Sequence, residues 1–299
     1  VPCNPEFEAR EAQYIFEHAG VRGVICSPEA LSKVQEATCQ MNAVPWQVVI
    51  EHDQPGGEIS LLNQWQDCTP DRSTRTGKAD STCMIIYTSG TTGLPKAAKI
   101  THNRLRGMAR YARILGKVDA QDRVYNTLPM YHSTGGAMGT AGPLIYGATI
   151  ILRRKLSVSR FWDDAVEHEA TKFVYIGELC RYLLNSPAHP QERAHKVIAG
   201  FGNGMRGEVW QPFVERFGVP HMYEFYGSTE GNVALVNLSG KVGAIGRLPN
   251  WLGTKMGIAF VKFDVAEEQP VRGLDGYCVK ADVNEPGEAL GKIGTSGAT

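Results

Sequence analysis

The 299 residues suffice for one large or two ordinary domains, and a content of 42% hydrophobic and 21% charged residues is that of a globular protein. Lysine plus arginine and aspartate plus glutamate each total 31, so no net field recruits nucleic acid or an anionic lipid surface. Seven cysteines, at 3, 26, 39, 68, 83, 180 and 278, show neither C-x-x-C pairing nor a histidine spacing suited to zinc, and they read as reduced thiols of a cytoplasmic protein. Val1-Pro-Cys-Asn4 carries no basic-then-apolar leader and reads as an internal start. Between Arg123 and Arg153 no Asp, Glu, Lys or Arg occurs, but Pro129, Pro143 and many glycines break that stretch into pieces. This argues against a spanning helix and leaves peripheral membrane contact by a surface helix open.

In chain order, Asn4 and Pro5 predict a helix start, with Phe7, Glu11, Tyr14, Ile15 and His18 running to a stop at Gly20. A strand over 21–26, a helix capped by Ser27-Pro28 and running to about Gln40, and a strand over 46–50 follow. This βα alternation predicts a mostly parallel sheet covered by helices. Polar, Gly/Pro-bearing stretches at 53–58 and 66–81 read as loop and linker. Further on, the pattern predicts a helix from Thr101 to about Gly116, a strand over 123–128, a glycine-rich helical segment and a strand over 148–152. Ser157 predicts a helix to about Glu169, followed by a strand over 172–176, a helix over 177–184 and a strand over 195–201. The helix over 206–217 places Val209, Trp210, Phe213 and Phe217 on one face. From about Val242, frequent glycines and short apolar runs predict β-rich structure. The expected division is 1–82, 83–241 and 242–299.

The chain is organised around Tyr87-Thr-Ser-Gly-Thr-Thr-Gly-Leu-Pro-Lys96, directly after the apolar run Cys83–Ile86. Thr88, Ser89, Gly90, Thr91, Thr92, Gly93 and Lys96 offer freed backbone N–H groups, hydroxyls and one ammonium, the groups that hold a polyphosphate. The Walker loop does not fit: counted from Gly90, proline stands at 95 and Ala97 follows the lysine. Ala97–Ile100 reads as a second strand, so this loop joins strand to strand.

A second cluster is Tyr226-Gly-Ser-Thr-Glu230. A hydroxyl beside a carboxylate on a glycine turn suits a phosphate and its Mg²⁺ together. Pro129-Met-Tyr-His132 ends the 123–128 strand, and a histidine there is either a packing residue or a substrate contact. Gly202-Asn203-Gly204-Met-Arg-Gly207 fits G-x-G-x-x-G between a strand and a helix, with Glu224 about twenty residues on. That leaves an NAD-dependent oxidoreductase as a rival reading, beside a plain tight turn.

The loop at 87–96 resembles the phosphate loop of the adenylate-forming superfamily of acyl-CoA synthetases, luciferases and peptide-synthetase adenylation domains. Tyr226–Glu230 and Pro129–His132 resemble its further elements. Tyr175–Asn185, Gly202–Arg206, Glu224–Asn232, Pro270-Val-Arg272 and Gly276–Val279 are most similar to the fatty-acid transport protein group, the very-long-chain acyl-CoA synthetases. The resemblance implies ATP, Mg²⁺ and coenzyme A as cofactor and co-substrates, and a fatty or similar carboxylic acid as partner. It assigns the β,γ-phosphates to residues 88–93 and Lys96, and the α-phosphate to Thr229. Glu230 takes the metal, and His132 positions substrate. Adenine falls to Gly202, Asn203, Gly204 and the strand Glu224, Phe225, Tyr226, Gly227 and Ser228, although relatives carry Asn or Gln where Glu224 stands. Lys96, His132, Thr229 and Glu230 are thus the expected catalytic set. The chain is expected to be part of the large N-terminal domain, without the C-terminal lid and its lysine, so a non-catalytic ATP- and acyl-binding fragment is also open.

Overall fold

A computed structural model describes residues 1–50, 77–88 and 94–293, which form two compact units, Val1–His102 and Asn103–Thr299. Ser89–Gly93 of the phosphate loop, the stretch 53–58 and most of 66–81 lie outside the described residues.

In the first unit, helix α1 spans Ala9–His18 and buries Ala12, Ile15 and Phe16. Its start falls later than Asn4-Pro5 predicts. The Asn4 side chain accepts from the Glu6 N–H at 3.0 Å and closes a turn instead. The cap is Glu8, whose N–H is taken by the Glu11 carboxylate at 2.9 Å in a reciprocal capping box. Strand β1 (Gly23–Cys26), helix α2 (Pro28–Thr38) and strand β2 (Trp46–Val49) form the expected βαβ unit, with β1 and β2 parallel. Strands β3 (Thr82–Thr88) and β4 (Lys96–Thr101) pair antiparallel, with Thr88 opposite Lys96, so the phosphate loop does join strand to strand.

The second unit opens with helix α3 (His102–Ile114), whose first residue closes the preceding unit. Strand β5 (Arg123–Asn126) leads through a π-helix (Thr134–Ala141) and the short α4 (Gly142–Ile145) to β6 (Thr149–Leu152). Three βα pairs follow: α5 (Phe161–Glu167) to β7 (Lys172–Ile176), α6 (Gly177–Leu184) to β8 (Ala199–Asn203), and α7 (Gly207–Phe217) to β9 (His221–Gly227). The last strand, β10 (Ala234–Asn237), returns antiparallel to β9. The sheet order is β10-β9-β8-β7-β5-β6, parallel throughout except at β10. Because β5 leads outward to β6 and the chain then crosses back to β7, connections diverge on either side of the β5–β7 pair. Crevices for ligands in such sheets lie beyond the carboxyl ends of the strands at that divergence.

Helices cover this sheet through an aromatic core. Phe161, Trp162, Phe173, Tyr175, Phe201, Phe213 and Phe217 are all almost fully buried. The predicted face of α7 is the buried one, with Phe213 and Phe217 edge to face at 4.7 Å and Trp162 against Phe217 at 4.6 Å. Beneath them, Lys172 donates to Asp122 at 2.6 Å and to the Lys117 carbonyl at 2.8 Å, both side chains being nearly sealed from water.

Two further expected boundaries move, and one helix is added. The helix expected from Ser157 starts at Phe161, since residues 158–160 form a turn. The strand expected from His195 starts at Ala199. The His195 ring accepts from the Val197 N–H at 3.1 Å through Nδ1 and faces the Phe217 carbonyl at 3.1 Å through Nε2, which keeps residues 195–197 out of the ladder. Burial lowers the His195 pKa, in keeping with the neutral tautomer this pairing needs. After residue 242, helix α8 (Asn250–Met256) precedes the expected strands, β11 (Ile258–Asp264), β12 (Gln269–Pro270) and β13 (Gly287–Gly291), which form one small antiparallel sheet.

Candidate active site

Four loops leave the carboxyl edge of the large sheet close together. After β5 comes Leu128–Ser133, after β7 Gly177, after β8 Asn203–Arg206, and after β9 the turn Ser228–Val233. Between α3, the start of the π-helix and the end of β9 lies a cavity of about 380 Å³. One wall is apolar, made by Met108, Tyr111, Met138 and Phe225, with the Tyr111 and Phe225 rings stacked at 6.2 Å. The other is polar, made by Arg104, Ser133, Asn203, Ser228 and Asn232. The carboxamide oxygen of Asn203 is buried and has no protein hydrogen-bond partner.

The turn after β9 is held from two sides. The Arg104 guanidinium donates to the Thr229 carbonyl through Nε at 3.0 Å and Nη2 at 2.6 Å, and to the Gly231 carbonyl at 2.5 Å. The Thr229 hydroxyl pairs with the Ser133 hydroxyl at 3.2 Å. Burial lowers the Arg104 pKa, partly offset by the charge of Glu230 nearby. Thr229 is half-buried, while Glu230, Tyr226, Gly227 and Ser228 are exposed. Further along, the Asn232 amide donates to the carbonyls of Gly291 and Lys292 at 3.0 and 3.2 Å, tying the turn to β13.

Glu224 occupies a different setting from its neighbours on β9. It is 1% exposed, its Oε2 accepts from the Tyr175 hydroxyl at 2.7 Å, and the Gly204 N–H and Met205 N–H donate to its carboxylate, the latter at 3.2 Å. Its oxygens are thus committed to the protein, and it does not line the cavity. Burial raises its pKa, and the three donors oppose that shift. The bonds fix the end of β8, where Gly204 adopts φ +81° and a Cβ on Gly202 would fall on the Tyr175 carbonyl. Packing therefore accounts for both glycines.

His132 is exposed beside Tyr131, ring centroids 4.6 Å apart, and its backbone closes the turn into the π-helix through Gly136 N–H at 2.8 Å. Partial burial lowers its pKa, which keeps the imidazole neutral near pH 7. Thr88 and Lys96 belong to the first unit, facing each other across the open end of the β3–β4 hairpin. The roots of that hairpin are gripped by α1. His18 Nδ1 and the Tyr87 hydroxyl are 2.7 Å apart, and the Tyr14 hydroxyl donates to the Pro95 carbonyl at 3.4 Å. The residues that sequence reasoning missed are Arg104, Ser133, Tyr175, Tyr14 and His18. Each acts through a partner distant in sequence, so no local motif marks it.

The second unit is thus an α/β sheet with a cavity at the carboxyl edge of its strands. The family of AMP-binding enzymes matches residues 1–287, and the chain belongs to it. Among its relatives, long-chain fatty acid transport protein 2 of Rattus norvegicus is 40% identical over 297 residues, covering 97% of this chain and 48% of the relative. The chain thus spans about half the length of that relative. Solved structures agree on the fold of an adenylate-forming enzyme's N-terminal domain. A benzoate CoA ligase from Burkholderia xenovorans LB400 superposes with a TM-score of 0.72 at 22% identity, over 91% of this chain and 53% of that one. The N-terminal domain of FACL13 from Mycobacterium tuberculosis gives 0.71 at 19% identity, over 93% and 66%.

Proposed function

We propose that this chain carries the adenylating machinery of an AMP-forming acyl-CoA ligase for long- or very-long-chain fatty acids. The observation that carries the reading is the cavity, in which an apolar wall of Met108, Tyr111, Met138 and Phe225 meets the polar turn that follows Tyr226. An amphipathic carboxylate needs both surfaces, and the family and the fatty acid transport relative supply the chemistry to expect there.

In the first half-reaction a carboxylate oxygen attacks the α-phosphorus of ATP, and pyrophosphate leaves with the bonding pair. In the second, a CoA thiolate adds to the acyl carbonyl and AMP departs. Neither step asks for a strong general base, since a carboxylate is already ionised at neutral pH. The work is charge neutralisation and alignment. In this scheme Thr88, Ser89, Gly90, Thr91, Thr92, Gly93 and Lys96 hold the β,γ-phosphates, Thr229 contacts the α-phosphate, and neutral His132 orients the acid. Gly202, Asn203 and Gly204 wall the adenine, with the unpartnered Asn203 carboxamide oxygen open to an N–H donor.

Glu230 and Thr229 supply one exposed carboxylate and one hydroxyl, which fits Mg²⁺ carried in on its nucleotide. Among the described residues no cluster of three or more His, Cys, Asp or Glu side chains forms an all-protein cage. When bound, the ion neutralises charge on the phosphates. Membrane contact belongs to the same proposal only in coarse form: no helix of the described residues is long and apolar enough to cross a bilayer.

The test is carboxylate-dependent ATP–pyrophosphate exchange by the full-length gene product across acids of increasing length. Exchange confined to long acids supports the reading. Absence of exchange with every acid, together with protection by NAD, would move it to the glycine turn at Gly202.

A further inference from the structure

We propose that Arg104 is the positioning residue of the Thr229–Gly231 turn, clamping it to the first helix of the second unit so that the Thr229 hydroxyl and Glu230 carboxylate are presented in one fixed arrangement. Its catalytic consequence rests on the adenylation reading above; the clamp itself does not. Arg104 stands in the first turn of α3, 125 residues from Thr229 in sequence, and reaches across to that turn. Two of its nitrogens serve two carbonyls, Thr229 at 2.6 and 3.0 Å and Gly231 at 2.5 Å.

A planar fork fixes two acceptors relative to each other, which the point charge of a lysine does not. The two carbonyls flank Glu230, so the guanidinium defines the backbone on either side of that residue. From the other side Ser133 holds the Thr229 hydroxyl at 3.2 Å, so backbone and side chain of Thr229 are each fixed by a different element. Because Arg104 and Ser133 also line the cavity, a ligand filling it meets the groups that set the turn. The nearby Glu230 charge supports the half-buried guanidinium. A cation arriving at Glu230 competes for that charge but leaves the two carbonyl contacts in place.

Arg104→Lys and Arg104→Gln in the full-length protein test this with two readouts. Amide hydrogen exchange over 226–233 should quicken at least tenfold in both variants, with 207–217 unchanged. KM for Mg-ATP in the exchange reaction should rise at least tenfold, with KM for the acid within twofold of wild type. Unchanged protection of the turn would overturn the clamp, and a loosened turn with an unaltered KM for Mg-ATP would overturn its coupling to the nucleotide. Loss of protection across 207–217 as well would mean that Arg104 holds the whole unit, which also overturns the proposal. If the wild type shows no acid-dependent exchange, the adenylation reading fails, and hydrogen exchange alone decides the clamp.

Discussion

The two phosphate-type signatures of this chain are secured in different ways. Tyr87–Lys96 ends a two-stranded antiparallel hairpin and is gripped at its roots, where His18 meets Tyr87 and Tyr14 meets the Pro95 carbonyl. Tyr226–Glu230 ends a strand inside a six-stranded sheet and is gripped on the turn itself by Arg104 and Ser133. The hairpin thus secures its loop at the two strand ends, where Thr88 stands opposite Lys96. The sheet turn instead commits the Thr229 and Gly231 carbonyls to Arg104 and pairs the Thr229 hydroxyl with Ser133.

The largest effect is expected in the core of the unit that carries the sheet turn. Asp122→Ala strands the Lys172 ammonium in a buried site and should cost ~3–5 kcal/mol by denaturant unfolding of the second unit. A cost below ~1 kcal/mol would mean that the pair is open to water. Next, Tyr175→Phe withdraws a donor from the buried Glu224 carboxylate and should cost ~1–3 kcal/mol. Tyr87→Phe removes the His18 partner at the hairpin root and should cost about 1 kcal/mol. A larger loss than for Tyr175→Phe would invert the comparison.

A pH series sharpens it further. The folded protein holds the Glu224 proton more tightly than the unfolded chain does, because burial raises its pKa. Its contribution to stability is therefore full below the ordinary carboxylate value and falls as pH rises through the raised one. Glu224→Gln should flatten that part of the curve, so wild type minus variant must decline with pH across this window and be level above it. The smallest effect is expected of Gly207→Ala. An added Cβ there meets only the Gly243 Cα at 3.7 Å, an ordinary contact, so stability should stay within ~0.5 kcal/mol. A severe loss would restore the close helix–strand packing that a dinucleotide fingerprint demands of its third glycine.

Much of the fold was legible where breakers bracket an apolar run. Lys172–Ile176 and Gly177–Leu184 match their expected spans to the residue, and the apolar face of α7 is the one that is buried. Boundaries failed where a side chain captured its own backbone, as His195 does, or where Glu8 and Glu11 made a better cap than Asn4-Pro5. Helix Asn250–Met256 escaped because Gly253 sits inside it and glycines crowd its flanks. The candidate site was legible as motifs, since a motif concentrates its chemistry in neighbouring residues. Its supports were not. Nothing near Arg104 in sequence points to a carbonyl 125 residues away, and Glu224, which the family resemblance places with the adenine contacts, is tied to Tyr175 and the end of β8.

The most direct measurement is detection of acyl-adenylate by mass spectrometry after mixing the full-length protein with Mg-ATP and a long-chain acid, in wild type and Glu230→Gln. The account predicts adenylate with the wild type and at least a hundredfold less with the variant. Equal adenylate from both would remove Glu230 from the chemistry, and none from the wild type with any acid would contradict the assignment itself.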